Sequence, residues 1–129
     1  MDESVITSTY SPLSFAFLGD AVYSLYVRKL VIMNGNMSAH KLHQRATEYV
    51  NAGAQAKAAD AIQAILTEEE KDIYKRGENA KTESHAKNAS LYEYHKATGL
   101  ETLLGWMYLK GDMRRLEEVL EACINSNLQ

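Results

Sequence analysis

A single cysteine, Cys123, stands among the 129 residues. It excludes an internal disulfide, and with no cysteine cluster beside them the four histidines make a poor zinc site. No run of 18 apolar residues occurs, and the opening MDESVITSTY is acidic and polar where a signal peptide is basic and then apolar. A soluble cytoplasmic protein with no membrane partner is the expectation. No phosphate-binding glycine loop is present, and Ser84 and Ser90 lack a serine-hydrolase context. Strand-like alternation, internal repeats and low-complexity tracts are missing as well.

What remains is an ordinary globular composition. The apolar fraction of 46% and the charged fraction of 24% suit a folded core rather than disorder. The length suits one domain, residues 1–129. Net charge is only −3, yet it is segregated: Arg28, Lys29, Lys41, Arg45 and Lys57 face one acid, Glu48, between residues 28 and 57. From Glu101 onward five acids stand against three bases, so an anionic partner for the basic stretch remains open.

Helix signals punctuate the chain. Ser11 with Pro12 reads as a cap and first turn, and apolar periodicity runs on to about Met33, where NGN stops it. Ser38 opens a second helix through Leu42, Ala46 and Tyr49. Asn51 opens a third, alanine-rich, to Leu66. Thr67 and Glu70 have capping-box spacing for a fourth, ending near Arg76. Residues 77–90 read as a loop, Leu91–Leu109 as a long helix, and Asp112 as the cap of a last helix with Leu116, Val119, Leu120 and Ile124 inward. The expected fold class is an all-α bundle.

Two acids break the apolar pattern. Asp20 sits in FAFLGDA, with Leu13, Phe15, Phe17, Leu18, Val22 and Leu25 around it; Glu101 sits in ATGLETLLGWMYL. Each has glycines nearby, Gly19 in one case and Gly99 and Gly105 in the other, although glycine inside a helix costs about 1 kcal/mol against alanine. Close helix packing at Gly19 and Gly105 would bring the two carboxylates together, where they repel unless they share a proton or a cation. Mg²⁺ suits such a site, since it favours oxygen ligands and accepts one or two carboxylates plus water and phosphate. The same two acids fit a plainer role, each capping a helix or pairing with Arg28, Arg45 or Lys96. Pattern alone does not choose.

FLGDAVYSLYVR resembles the signature helix of the ribonuclease III catalytic domain, and GLETLLGWMYL resembles that family's second signature. LHQRATEYVNAGAQAKA and RGENAKT are similar to segments of its small Mini-III subfamily, which lacks a separate double-stranded-RNA-binding domain. The resemblance spans roughly residues 11–125. It implies an all-α ribonuclease III catalytic-domain-like bundle and a Mg²⁺-dependent endoribonuclease, with Mn²⁺ as a substitute ion. Asp20 and Glu101 would be its catalytic and metal-binding residues. Double-stranded RNA would be hydrolysed to 5′-phosphate and 3′-hydroxyl ends, with the stem bordering precursor 23S ribosomal RNA as substrate. A homodimer is implied, with a ribosomal protein or ribosome precursor as a further partner. Long-form members carry acids where this chain has Leu13, Ala16 and Thr98. Mini-III shows the same reduction, which suits one cation better than two.

Candidate phosphate contacts are His43, Arg45, Arg76, Asn79, Lys81 and Lys87, each of which also reads as a solvated surface residue. Glu78 stands where the subfamily segment is often basic. For the dimer surface the first helix offers Leu18, Val22 and Tyr26. Two rival classes are a non-catalytic ribonuclease-III-like domain that binds RNA or protein, and a helical Mg²⁺-dependent nucleotide pyrophosphohydrolase. The latter wants denser acidic pairs than Glu117, Glu118 and Glu121 supply.

Overall fold

The structure, a computed structural model, describes residues 9–80 and 90–128. Six α-helices make up the described fold: α1 (Pro12–Met33), α2 (Ala39–Val50), α3 (Ala52–Ile62), α4 (Glu68–Glu78), α5 (Leu91–Lys110) and α6 (Met113–Ser126). No strand occurs among the described residues, so the all-α expectation holds.

The caps explain where the helices begin. Ser11, Ser38, Asn51 and Asp112 each accept a hydrogen bond from a backbone N–H three residues on, which satisfies one of the free donors of a first turn. Thr67 and Glu70 form the expected reciprocal box. Ser90 and Glu93 form a second one at the start of α5. Two boundaries differ from the sequence reading. α3 gives way at Gln63–Ile65 to a 3₁₀ turn, and α4 runs two residues past Arg76. Gly77 stays helical because it presses on α5: a β-carbon there would lie 2.5 Å from Thr102 Cβ and 3.0 Å from Gly99 Cα.

α5 is the central helix, with α1, α4, α3 and α6 packed around it. From Ala97 to Met107 every residue except Glu101 is buried, including Leu100, Leu103, Leu104 and Trp106. A helix apolar on all sides belongs inside. Glu101 alone in that run reaches solvent.

α1 turns Phe15, Ala16, Gly19, Val22, Tyr23, Val27 and Val31 inward. Its outward face is also apolar, with Phe17 85% and Leu25 70% exposed. The proposed dimer patch of Leu18, Val22 and Tyr26 is therefore corrected: Val22 is core, and Leu18 and Tyr26 pack half-buried against that core. No described helix is long and apolar enough to cross a membrane.

Candidate active site

Two glycines set the site. A β-carbon on Gly19 would stand 2.6 Å from the carbonyl carbon of Glu101, and one on Gly105 would stand 2.7 Å from that of Phe15. Neither space exists, so α1 and α5 meet backbone to backbone at both positions. Asp20, next in chain to Gly19, is thereby carried to Glu101, and their side chains are within hydrogen-bonding reach.

The environments of the two acids differ. Asp20 is exposed, so its expected apolar enclosure is corrected. Its apolar sequence neighbours Phe17 and Leu25 lie on the open side of α1. Glu101 bears the desolvation. Burial first, and then the Asp20 charge and hydrogen bond, push its carboxyl up to about 8. No base among the described residues forms an ion pair with either acid. Lys96, one of the partners considered, pairs with Asp60 on α3.

A third side chain enters from α3. Gln55 is 5% exposed and was not singled out from the sequence. Its Nε2 donates to the Val50 carbonyl at 2.8 Å, and its amide also reaches Glu101, partly countering the upward shift of that acid. The signal for it was a lone polar residue on the inner face of an alanine-rich helix.

No cluster of three or more His, Cys, Asp or Glu side chains gathers among the described residues. The donor set is two carboxylates plus an amide, all hard oxygens. That set fits Mg²⁺ or Mn²⁺, which take oxygen ligands and keep several waters, and does not fit zinc.

The candidate phosphate contacts fall into separate groups. His43 and Arg45 are exposed on α2, but two residues apart on a helix they point to opposite flanks. His43 lines a cleft of about 200 Å³ with Arg28, Ile32, Leu42 and Ala46. Arg76 is ion-paired with Asp72 at 3.1 Å. Asn79 is the C-cap of α4. Lys81 and Lys87 lie outside the described residues. Glu78 accepts from Tyr74 Oη at 2.9 Å and from Lys75 Nζ at 3.2 Å, so its charge is compensated within α4.

An all-helical domain with one carboxylate from each of two glycine-apposed helices is the arrangement expected of a ribonuclease III catalytic domain. The Ribonuclease III domain family profile matches residues 13–112, which include both acids. A Mini-ribonuclease 3 from Thermoanaerobacter is 45% identical over 114 residues, covering 88% of this chain and 80% of the relative. The Mini-ribonuclease 3 of Enterococcus faecalis is 45% identical over 87% of this chain and 86% of its own. The Streptococcus pneumoniae protein of that name is 42% identical over 87% and 89%. A crystal structure of a Fusobacterium nucleatum protein superposes with a TM-score of 0.83 at 33% identity, covering 93% of this chain and 96% of that one. The chain belongs to the ribonuclease III family, in its Mini-ribonuclease 3 branch. It is an endoribonuclease, a hydrolase of RNA.

Proposed function

We propose that the protein cleaves double-stranded RNA by Mg²⁺-dependent phosphodiester hydrolysis, acting as a homodimer in the cytoplasm. Residues 1–129 would serve as one catalytic domain, and the ends of precursor 23S ribosomal RNA would be its substrate. The observation that carries the reading is the meeting of Asp20 with Glu101 on α1 and α5. Two carboxyl groups brought this close must share a proton or a cation, and oxygen ligands of this kind suit Mg²⁺.

Asp20 and Glu101 would hold the ion. When bound, it supplies Lewis acidity at the scissile phosphate and a water acidic enough to act as nucleophile. Asp20, exposed at the helix edge, presents its charge toward the side from which a duplex can approach. Glu101 is fixed by the core helix and by Gln55. A-form RNA is recognised by shape, phosphates and 2′-hydroxyls, so no base-reading element is needed. Arg28, Lys29, Lys41 and Arg45 form no ion pair among the described residues, and they leave α1 and α2 cationic for phosphate contact, with His43 and Asn79 as further donors. Support for the 23S substrate, and for a ribosomal protein or ribosome precursor as partner, is the likeness to the Mini-III subfamily.

The dimer reading rests on α1. Phe17, Leu25 and Ile32 are 85%, 70% and 60% exposed along its outer face. Two copies of α1 crossing antiparallel between Ser24 and Leu25 would set Phe17 of each against Ile32 and the adjoining cleft of the other. That would cover the most exposed aromatic side chain among the described residues and place two sites on one duplex, one for each strand.

The reading is tested by incubating the protein with long double-stranded RNA, and separately with nucleoside triphosphates, each with and without Mg²⁺. Cleavage of RNA alone, dependent on Mg²⁺ and leaving 5′-phosphates, is expected. RNA that is bound but intact would favour the non-catalytic relative, and hydrolysed triphosphates would favour the pyrophosphohydrolase. Mapping cut ends on precursor 23S RNA tests the substrate.

A further inference from the structure

Gln55 carries an unexplained group at the centre of the site. Its side chain is buried on α3, four residues beyond the Asn51 cap. Nε2 donates to the Val50 carbonyl at 2.8 Å, and the side chain also acts on the Glu101 carboxyl. Oε1 is buried too, and no donor among the described residues meets it. A buried acceptor left without a partner is destabilising and calls for a reason. Rotating the amide would not help, because Oε1 would then face the Val50 carbonyl, which only accepts. The side chain acts on Glu101 directly, so its Oε1 belongs to the same site. The neighbouring acids cannot satisfy it once ionised, since a carboxylate only accepts. A water in the hydration shell of a cation can, because its oxygen faces the ion and its hydrogens point outward.

We propose that Gln55 is a positioning residue of the cation site: its Nε2, anchored on Val50, holds the Glu101 carboxylate, and its Oε1 accepts a hydrogen bond from the cation's hydration shell. The inference rests on the Asp20–Glu101 site reading. Gln55 touches neither substrate nor reacting atoms, and acts through Glu101 and the bound water. It gives the site a third protein oxygen without a third negative charge.

The test uses Mg²⁺ alone, without RNA, at a pH above about 8 so that Glu101 is ionised. Calorimetric Mg²⁺ affinity and thermal unfolding with and without Mg²⁺ are measured for the wild type, Asp20→Asn, Gln55→Leu and Gln55→Glu. Gln55→Leu should weaken Mg²⁺ binding by roughly tenfold or more, the usual cost of losing an outer-shell partner. Its metal-free unfolding temperature should stay level or rise, because an orphan acceptor is gone. Gln55→Glu should lower the metal-free unfolding temperature and tighten Mg²⁺ binding, since it adds a third carboxylate. A purely structural Gln55 would move the metal-free temperature in both variants and leave the Mg²⁺ affinity alone. If Gln55→Leu does not fold, Gln55→Glu decides by itself. Affinities within about twofold of wild type for the folded Gln55 variants, with Asp20→Asn deficient, would overturn the Gln55 role alone. Wild type and Asp20→Asn behaving alike toward Mg²⁺ would overturn the site reading, and the Gln55 role with it.

Discussion

Gly19 and Glu101 touch through backbone alone, with the absent β-carbon of Gly19 only 2.6 Å from the Glu101 carbonyl carbon. The contact accounts for a glycine in mid-helix and fixes the register that puts Asp20 beside Glu101. Gly19→Ala must push α1 and α5 apart. The expected loss is on the order of 3 kcal/mol or more, the upper range for overpacking, with a matching loss of cleavage. Gly53→Ala is the control: its nearest neighbour is the flexible end of Glu93 at 3.2 Å. Denaturant unfolding should show Gly53→Ala within about 1 kcal/mol of wild type.

Phe17 on the outer face of α1 tests the dimer. Phe17→Ser should leave the core untouched and yield a 14.5 kDa monomer in sedimentation, where wild type gives 2 × 14.5 = 29 kDa. Double-strand cleavage should fall with dimer content. A wild-type monomer that completes double-strand cleavage would refute the arrangement.

Arg115 of α6 clamps the start of α4. Its Nε and Nη2 donate to Glu70 at 2.9 and 2.8 Å, and Nη2 also donates to the Ile65 carbonyl at 2.6 Å. The Arg115 hydrogen bond holds the Glu70 carboxyl below the ordinary carboxylate range. A lowered pKa stabilises the fold above the unfolded-state value, and that stability is lost as pH falls through the folded-state value. Arg115→Met strands a buried carboxylate and should cost about 3 kcal/mol, the low end for a broken buried pair, since Arg115 keeps some solvent contact. Acid titration of unfolding should show a flatter acid limb in this variant.

Glu101 gives the opposite sign. Its carboxyl is pushed up to about 8, so between the ordinary value of 4.5 and about 8 the folded state holds a proton that the unfolded chain releases. Its contribution is therefore largest in acid and declines as pH rises through that window, levelling off above it. Mg²⁺ competes with that proton, so stabilisation by Mg²⁺ should grow from pH 6 to above pH 8. Thermal unfolding across that range, with and without Mg²⁺, checks both trends. An Mg²⁺ increment that does not change with pH would contradict them.

Much of the fold was legible because its signals are local. Ser11, Ser38, Asn51, Thr67 and Asp112 announce helix starts through short side chains that reach their own first turn. Ser90 and Glu93 carried the same signal unread. The glycine–acid pairs were legible as local costs with no local reason. The inner side of α1 was not, because a helix apolar on both faces has no period that separates Val22, buried, from Phe17, exposed. The role of Gln55 was hidden for a related reason, although a lone polar residue on the inner face of α3 marked its place. What makes an amide matter is the Glu101 carboxyl opposite it, 46 residues on in the chain, and no spacing within α3 reports that.

Asp20→Asn tests the central claim most directly, because it removes one charge with little change of shape. RNA cleavage is measured beside thermal unfolding with and without Mg²⁺. If Asp20 and Glu101 hold a cation, cleavage falls by orders of magnitude, the metal-free variant is as stable as wild type or more so, and Mg²⁺ stabilises wild type more than the variant. A variant several degrees less stable than wild type that still cuts double-stranded RNA would contradict the account.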